Sequence, residues 1–189
     1  MQKRHRIFIA VNLPEDIKRY LSGFEKKLAG LPANWIKKDN IHITLLFLGS
    51  LTDIEIGEVC LALKDISKNY QSFDLNINKV CYGPENKLPP KMVWSNIEKS
   101  KELSILKKEI QKLLSEKITF PADNKSFSPH ITLAKVRTFE WRSINSEELP
   151  EVEENVELSF PVDSIEVMES SPSKGGPYYT VVESFPLLD

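Results

Sequence analysis

The chain has 189 residues, 41% hydrophobic and 28% charged, with a formal net charge of −2. That length suits one domain or two small fused lobes around a genuine core, and the composition excludes disorder and fibrous repeats. The near-balanced charge excludes binding through a strongly basic global field, so a nucleic-acid partner has to be gripped locally.

The N-terminal Lys3-Arg4-His5-Arg6 is basic, but the apolar run after it, residues 7–11, is too short for an export signal and meets Pro14 at once. Residues 6–13 therefore read as a buried first strand. Pro14 suits a helix start, with Glu15 and Asp16 near the positive end of the dipole. Ile17, Tyr20, Leu21, Phe24 and Leu28 follow at helical spacing, and Gly30 supplies the stop. Residues 41–48 make a second strand, ended by Gly49-Ser50. Thr52-Asp53-Ile54-Glu55 is a capping box, and the helix it opens carries Ile56, Val59, Cys60, Leu63 and Ile66 on one face. Residues 73–78 alternate as a half-exposed strand. Loops are expected at Tyr82-Gly83-Pro84-Glu85-Asn86 and Leu88-Pro89-Pro90, and a strand over 92–97. Leu103, Leu106, Ile110, Leu113 and Leu114 mark a third helix. Strand signals recur over 130–136, 156–160, 164–168 and 178–185, with a surface excursion at 138–154. No stretch approaches the ~20 apolar residues of a membrane span. Cys60 and Cys81 are too few for a disulfide framework and read as reduced thiols of a cytoplasmic protein. Few helices and short connections point to an α+β fold with largely antiparallel sheets. No Gly-rich phosphate fingerprint of the Walker or dinucleotide type is present.

The informative feature is a repeated tetrapeptide: His42-Ile43-Thr44-Leu45 recurs as His130-Ile131-Thr132-Leu133. With only three histidines in the chain, such a repeat arises by chance in roughly one sequence per thousand. Internal duplication is the economical explanation, giving one bilobed domain over residues 1–189 with two pseudo-symmetric lobes. Side chains at i and i+2 of a strand share a face, about 6.5 Å apart. His42 and Thr44 then look one way and Ile41, Ile43, Leu45 and Phe47 the other. In the second copy His130 and Thr132 share a face opposite Ile131 and Leu133. A pseudo-twofold would set the two His-x-Thr surfaces across a cleft, two imidazoles flanking two hydroxyls.

Such a set suits a phosphodiester. Its non-bridging oxygens need donors, and its cleavage needs one proton removed and another supplied. A neutral histidine activates water, a protonated one serves the leaving oxygen, and imidazolium and hydroxyls stabilise the charge gathering on phosphorus-bound oxygens. No metal is required. Zinc has little support, because the two histidines are distant in sequence and bring no nearby Cys or third His. His5 belongs to a basic, fraying terminus. A serine nucleophile lacks its Gly-x-Ser-x-Gly elbow.

These residues resemble the 2H phosphoesterases, and among them the RNA 2′,3′-cyclic phosphodiesterases of the LigT/ThpR type, also called 2′-5′ RNA ligases. The likeness runs from Arg6-Ile7-Phe8-Ile9-Ala10 through Trp35, both tetrapeptides and Lys91-Met92-Val93-Trp94. It continues to Met168-Glu169-Ser170 and Gly176-Pro177-Tyr178-Tyr179. The resemblance implies metal-free, cofactor-free hydrolysis of RNA 2′,3′-cyclic phosphate ends to 2′-phosphomonoesters. It makes His42 the general acid, His130 the general base, and Thr44 and Thr132 the phosphate ligands. Lys135 and Lys91 stand where this family often has Arg, which costs the bidentate fork but keeps the charge. By strict alternation Lys135 faces away from His130 unless the strand bulges. Phe8, Trp35 and Tyr178 are candidates for stacking on a base, and Lys174-Gly175-Gly176 for lending amides to a phosphate. The expected partner is an RNA or oligonucleotide end, with no membrane, and the default state is a monomer. The alternatives are an RNA- or nucleotide-binding module with little turnover, and ATP-independent 2′-5′ ligation at the same site.

Overall fold

The structure, a computed structural model, describes residues 2–84, 87–121, 126–174 and 176–189. Glu85 and Asn86 of the expected loop, and Gly175 of the suggested phosphate loop, lie outside the described residues. Ile7 through Val11 are all buried, as suits a strand covered on both faces, and they form the middle of β1 (His5–Asn12). Pro14 precedes α1 (Glu15–Ser22). The helical run expected to reach Leu28 breaks at Gly23, whose N–H turns back to the Tyr20 carbonyl at 3.1 Å. A single further turn, α2 (Phe24–Lys27), follows; the buried face of α1 runs through Ile17, Lys18 and Leu21, and Tyr20, expected inward, is 47% exposed. A short strand the sequence pattern does not announce, β2 (Ala33–Trp35), precedes a 3₁₀ turn (Lys38–Asn40) and β3 (His42–Leu51).

The capping box of α3 (Asp53–Ser67) forms as expected: Thr52 Oγ1 accepts the Glu55 N–H, and Glu55 Oε2 accepts the Thr52 N–H at 2.7 Å. β4 (Phe73–Gly83) runs on through Tyr82 and Gly83, which the sequence assigns to a loop. Then come β5 (Met92–Ile97) and α4 (Lys101–Ser115), which Ser100 caps by accepting the Leu103 N–H at 3.0 Å. β6 (His130–Val136) leads to a short α5 (Thr138–Arg142) within the surface excursion. The chain closes with β7 (Glu153–Val162), β8 (Ser164–Ser171) and β9 (Tyr178–Pro186).

Among the described residues the strands form one nine-stranded sheet in the order β7-β4-β5-β6-β3-β1-β8-β9, with β2 against β6. Every pairing between these strands is antiparallel, so the fold is α+β. The order has an internal symmetry. In each half the strand that begins with a repeat histidine lies innermost, beside the strand that precedes it through a helix: β3 beside β1, β6 beside β5. The halves meet through the bridge Ile43↔Ile131. Helices α3 and α4 pack on each other, and both touch β3. Their Leu63, Leu103, Leu106 and Ile110 are fully buried with Ile43 and Ile131. Each such side chain contributes roughly 1.5–3 kcal/mol by leaving water. No helix among the described residues is long and apolar enough to cross a membrane.

His5 is not on a fraying end. It starts β1, with its side chain only 11% exposed and its Nδ1 2.7 Å from Glu169 Oε1 on β8.

Candidate active site

His42 and His130 are the first residues of β3 and β6. In the antiparallel register that Ile43↔Ile131 sets, His42 lies across from Thr132 and Thr44 across from His130. Period-2 alternation puts these four side chains on one face while Ile43 and Ile131 are buried on the other. Residues remote in sequence thus converge because their strands are neighbours. The two His-x-Thr surfaces, expected to face each other across a cleft, lie side by side on adjacent strands of one continuous sheet.

The alternation fails just beyond each Thr. On β3, Ala10 pairs with Thr44 but Ile9 pairs with Leu46, leaving Leu45 as an extra residue. On β6, Trp94 pairs with Thr132 and Val93 with Ala134, leaving Leu133 extra in the same way. The same residue of each tetrapeptide is therefore a β-bulge, which turns the following side chains over. Leu45 and Leu46 are both buried, as are Leu133 and Ala134. Phe47, expected on the buried side, is 66% exposed on the histidine face. Lys135 is exposed on the face of His130 and Thr132, where strict alternation would not put it.

Each histidine is held through Nδ1 by the carbonyl two residues before it: Asn40 O at 2.7 Å for His42 and Ser128 O at 2.8 Å for His130. A carbonyl only accepts, so Nδ1 carries the hydrogen and Nε2 is the atom that gains or loses a proton. His42 Nε2 is 2.9 Å from Thr44 Oγ1. Thr132 Oγ1 instead lies 4.0 Å from Met92 Sδ. Burial pushes both imidazole pKa values down, against the pull of the Asn40 and Ser128 carbonyls. His42 is the more deeply buried, and the charges of Lys18 and His130 depress it further.

Aromatic rings brace both histidines. Phe8 lies 5.0 Å from the His42 ring and Tyr179 5.3 Å, edge-on; Phe8 also touches Phe47 and Tyr179. Trp94 stacks on His130 with centroids 3.9 Å apart. Asn40 ties the far hairpin to this cluster: its amide donates to Pro177 O at 2.7 Å and accepts the Tyr179 N–H at 3.3 Å.

Of the stacking candidates, Phe8 reaches the site but is buried at 3% exposure, so it supports the His42 and Phe47 rings instead of meeting a base. Trp35 packs on the hydrophobic core from β2. Tyr178 is 59% exposed at the start of β9, and its neighbour Tyr179 makes the site contacts. Lys91 is exposed ahead of β5, out of phase with Trp94 and Asn96. The Gly176 N–H is taken by Ser173 O at 3.2 Å, and Gly176 has a positive φ of 100°, so it serves the hairpin turn. Phe47, Trp94, Tyr179 and Asn40 are the site neighbours that sequence reasoning missed. Asn40 and Phe47 flank the first tetrapeptide, and Trp94 and Tyr179 fall in segments of the family likeness, but no local pattern assigns any of them to the site. Among the described residues, no three His, Cys, Asp or Glu side chains are grouped so as to hold a metal ion.

Residues 7–94 match the family model described as LigT like Phosphoesterase. An RNA 2′,3′-cyclic phosphodiesterase of Aquifex aeolicus (strain VF5) is 30% identical over 180 residues, covering 94% of this chain and 93% of that protein. One from Thermotoga maritima is 29% identical over 182 residues, covering 94% and 92%. The crystal structure of TT0787 from Thermus thermophilus has a TM-score of 0.83 at 25% identity, over 96% of this chain and 97% of that one. Escherichia coli LigT complexed with 3′-AMP shares the fold, with a TM-score of 0.79 at 22% identity over 99% and 100% of the two chains. These matches make the chain a phosphodiester hydrolase. It belongs to the LigT-like phosphoesterase family.

Proposed function

We propose that the protein hydrolyses RNA-type 2′,3′-cyclic phosphate ends to 2′-phosphomonoesters, using His42 and His130 and no metal ion. The observation that carries this reading is the pair of histidines, each anchored through Nδ1 to a carbonyl, on one face with Thr44 and Thr132. Water attacks phosphorus and gives its proton to His130 Nε2. The bond from phosphorus to the 3′ oxygen breaks, and His42 Nε2 delivers the proton that makes the 3′ hydroxyl. The 2′ oxygen keeps the phosphate, and exchange with solvent returns the two protons to their starting places.

Thr44, Thr132 and Lys135 hold the non-bridging oxygens, and the positive charge of Lys135 favours the more anionic transition state. The assignment of acid and base follows the differing exposure of the rings. His130 is the more open and suits the water side; buried His42 suits the leaving oxygen. Burial and Lys18 depress the proton affinity of His42 in the free protein, and the negative phosphate offsets them once bound. The Aquifex aeolicus and Thermotoga maritima relatives, named RNA 2′,3′-cyclic phosphodiesterases, support the substrate class. Matching bulges at Leu45 and Leu133, the matching pairs Asn12↔His42 and Asn96↔His130, and the symmetric strand order support an origin by internal duplication.

The test is a short RNA ending in a 2′,3′-cyclic phosphate, incubated with the protein and EDTA and followed by ³¹P NMR. The cyclic resonance gives way to a 2′-monoester alone. A 3′-monoester, or turnover abolished by EDTA, contradicts the proposal. Binding with no turnover across pH 5 to 9 makes the protein a binding module instead.

A further inference from the structure

We infer that Trp94 is a positioning residue for His130, and that Gly83 is glycine in order to seat the Trp94 ring. His42 has both ring nitrogens bonded, to Asn40 O and Thr44 Oγ1. The one bond described for the His130 ring is that from Nδ1 to Ser128 O. Among the described residues, its Nε2 has no bond like the one His42 makes to Thr44. The second constraint comes from Trp94, whose ring is stacked at 3.9 Å between centroids and 23° between planes.

Trp94 is itself fixed on two sides. Its indole N–H donates to Met92 Sδ at 3.2 Å. Its other face lies on β4: a Cβ built at Gly83 would fall 2.1 Å from Cδ2, 2.5 Å from Cε3 and 2.6 Å from Cε2 of the indole. Gly83 is not among the described glycines with positive φ, Gly49 and Gly176. Its backbone conformation therefore does not call for glycine, and the close approach of the ring does. The three residues form a sandwich across β4, β5 and β6, in which any side chain at 83 pushes the indole onto the imidazole. Registers agree, with Gly83 opposite Met92 and Trp94 opposite Thr132.

This inference rests on His130 acting on the substrate, and the experiment separates the two. Trp94→Leu lowers kcat roughly 10- to 100-fold with KM unchanged, because the binding groups stay while the base loses its aim. Trp94→Phe, which keeps an aromatic face, restores most of kcat. Gly83→Ala reproduces the kcat loss although residue 83 touches no reacting atom. NMR supplies a readout independent of activity: the His130 ring protons lie upfield under the indole in the native protein, move downfield in Trp94→Leu and shift in Gly83→Ala. A folded Trp94→Leu protein with native kcat overturns the positioning role while leaving the hydrolase reading intact. Native-like His130 ring-proton shifts in Gly83→Ala overturn the role given to Gly83. Absence of turnover in the native protein, with the upfield shift present, removes the catalytic reading instead.

Discussion

His42→Ala and His130→Ala each lower kcat/KM on cyclic-phosphate RNA by about 10³- to 10⁴-fold, the size of a lost general acid or base with part of its charge stabilisation. Both proteins stay folded, since each imidazole stands at the first residue of its strand and the buried Ile43 and Ile131 remain in place. The pH dependence ties the loss to proton transfer. The base must be neutral, so activity falls as pH drops through the lower pKa of the pair; the acid must be protonated, so activity also falls as pH rises through the upper one. Burial draws both below the ordinary histidine value of 6.5. The kcat/KM profile of the free enzyme is therefore a bell with its maximum on the acid side of 6.5. The kcat profile sits at higher pH, because the bound phosphate favours the imidazolium. Steady-state rates from pH 4.5 to 9 check this. A profile rising steadily to pH 9, or native rates in either variant, removes the histidines from the mechanism.

Thr44→Val and Thr132→Val come next, each lowering kcat by about 10²-fold, the scale of one lost donor to a developing oxyanion. Valine keeps the β-branched shape the strand prefers, so the change is chemical and leaves the packing alone. The two effects differ in character. Thr44 Oγ1 is bonded to His42 Nε2, so its loss also frees the imidazole that delivers the proton and displaces one limb of the pH profile. Thr132 Oγ1 has only a long contact with Met92 Sδ, so its loss lowers the rate without moving either limb. Rates and pH profiles of the two variants, measured side by side, separate these roles. Equal, pH-independent losses contradict the coupling of Thr44 to His42.

The sequence carries the four central residues and most of the strands openly, because a repeated His-x-Thr in an apolar context fixes the face these side chains share. What it hides follows from the bulges. A period-2 reading carried through Leu45 and Leu133 sends Phe47 inward and Lys135 away from the site, and one extra residue in each strand reverses both. Nothing local announces a bulge at either leucine. The choice between Tyr178 and Tyr179 hangs on which face of β9 meets the sheet's site side, a matter settled by the pairing with β8 and by the Asn40 amide. Gly83 reads as loop material because glycine usually marks turns; its reason lies in a ring from the neighbouring strand. His5 reads as a loose end because its partner Glu169 comes from far along the chain, as does Asp53.

One phosphate shared by two imidazoles is the claim on which the mechanism stands, and ¹⁵N NMR of the histidine rings during titration with a nucleoside 2′-monophosphate tests it most directly. The Nε2 resonances of His42 and His130 should move together, with one dissociation constant and saturation at one equivalent, while both Nδ1 atoms keep their hydrogens. Movement of a single ring, or two separate binding events, would contradict the account.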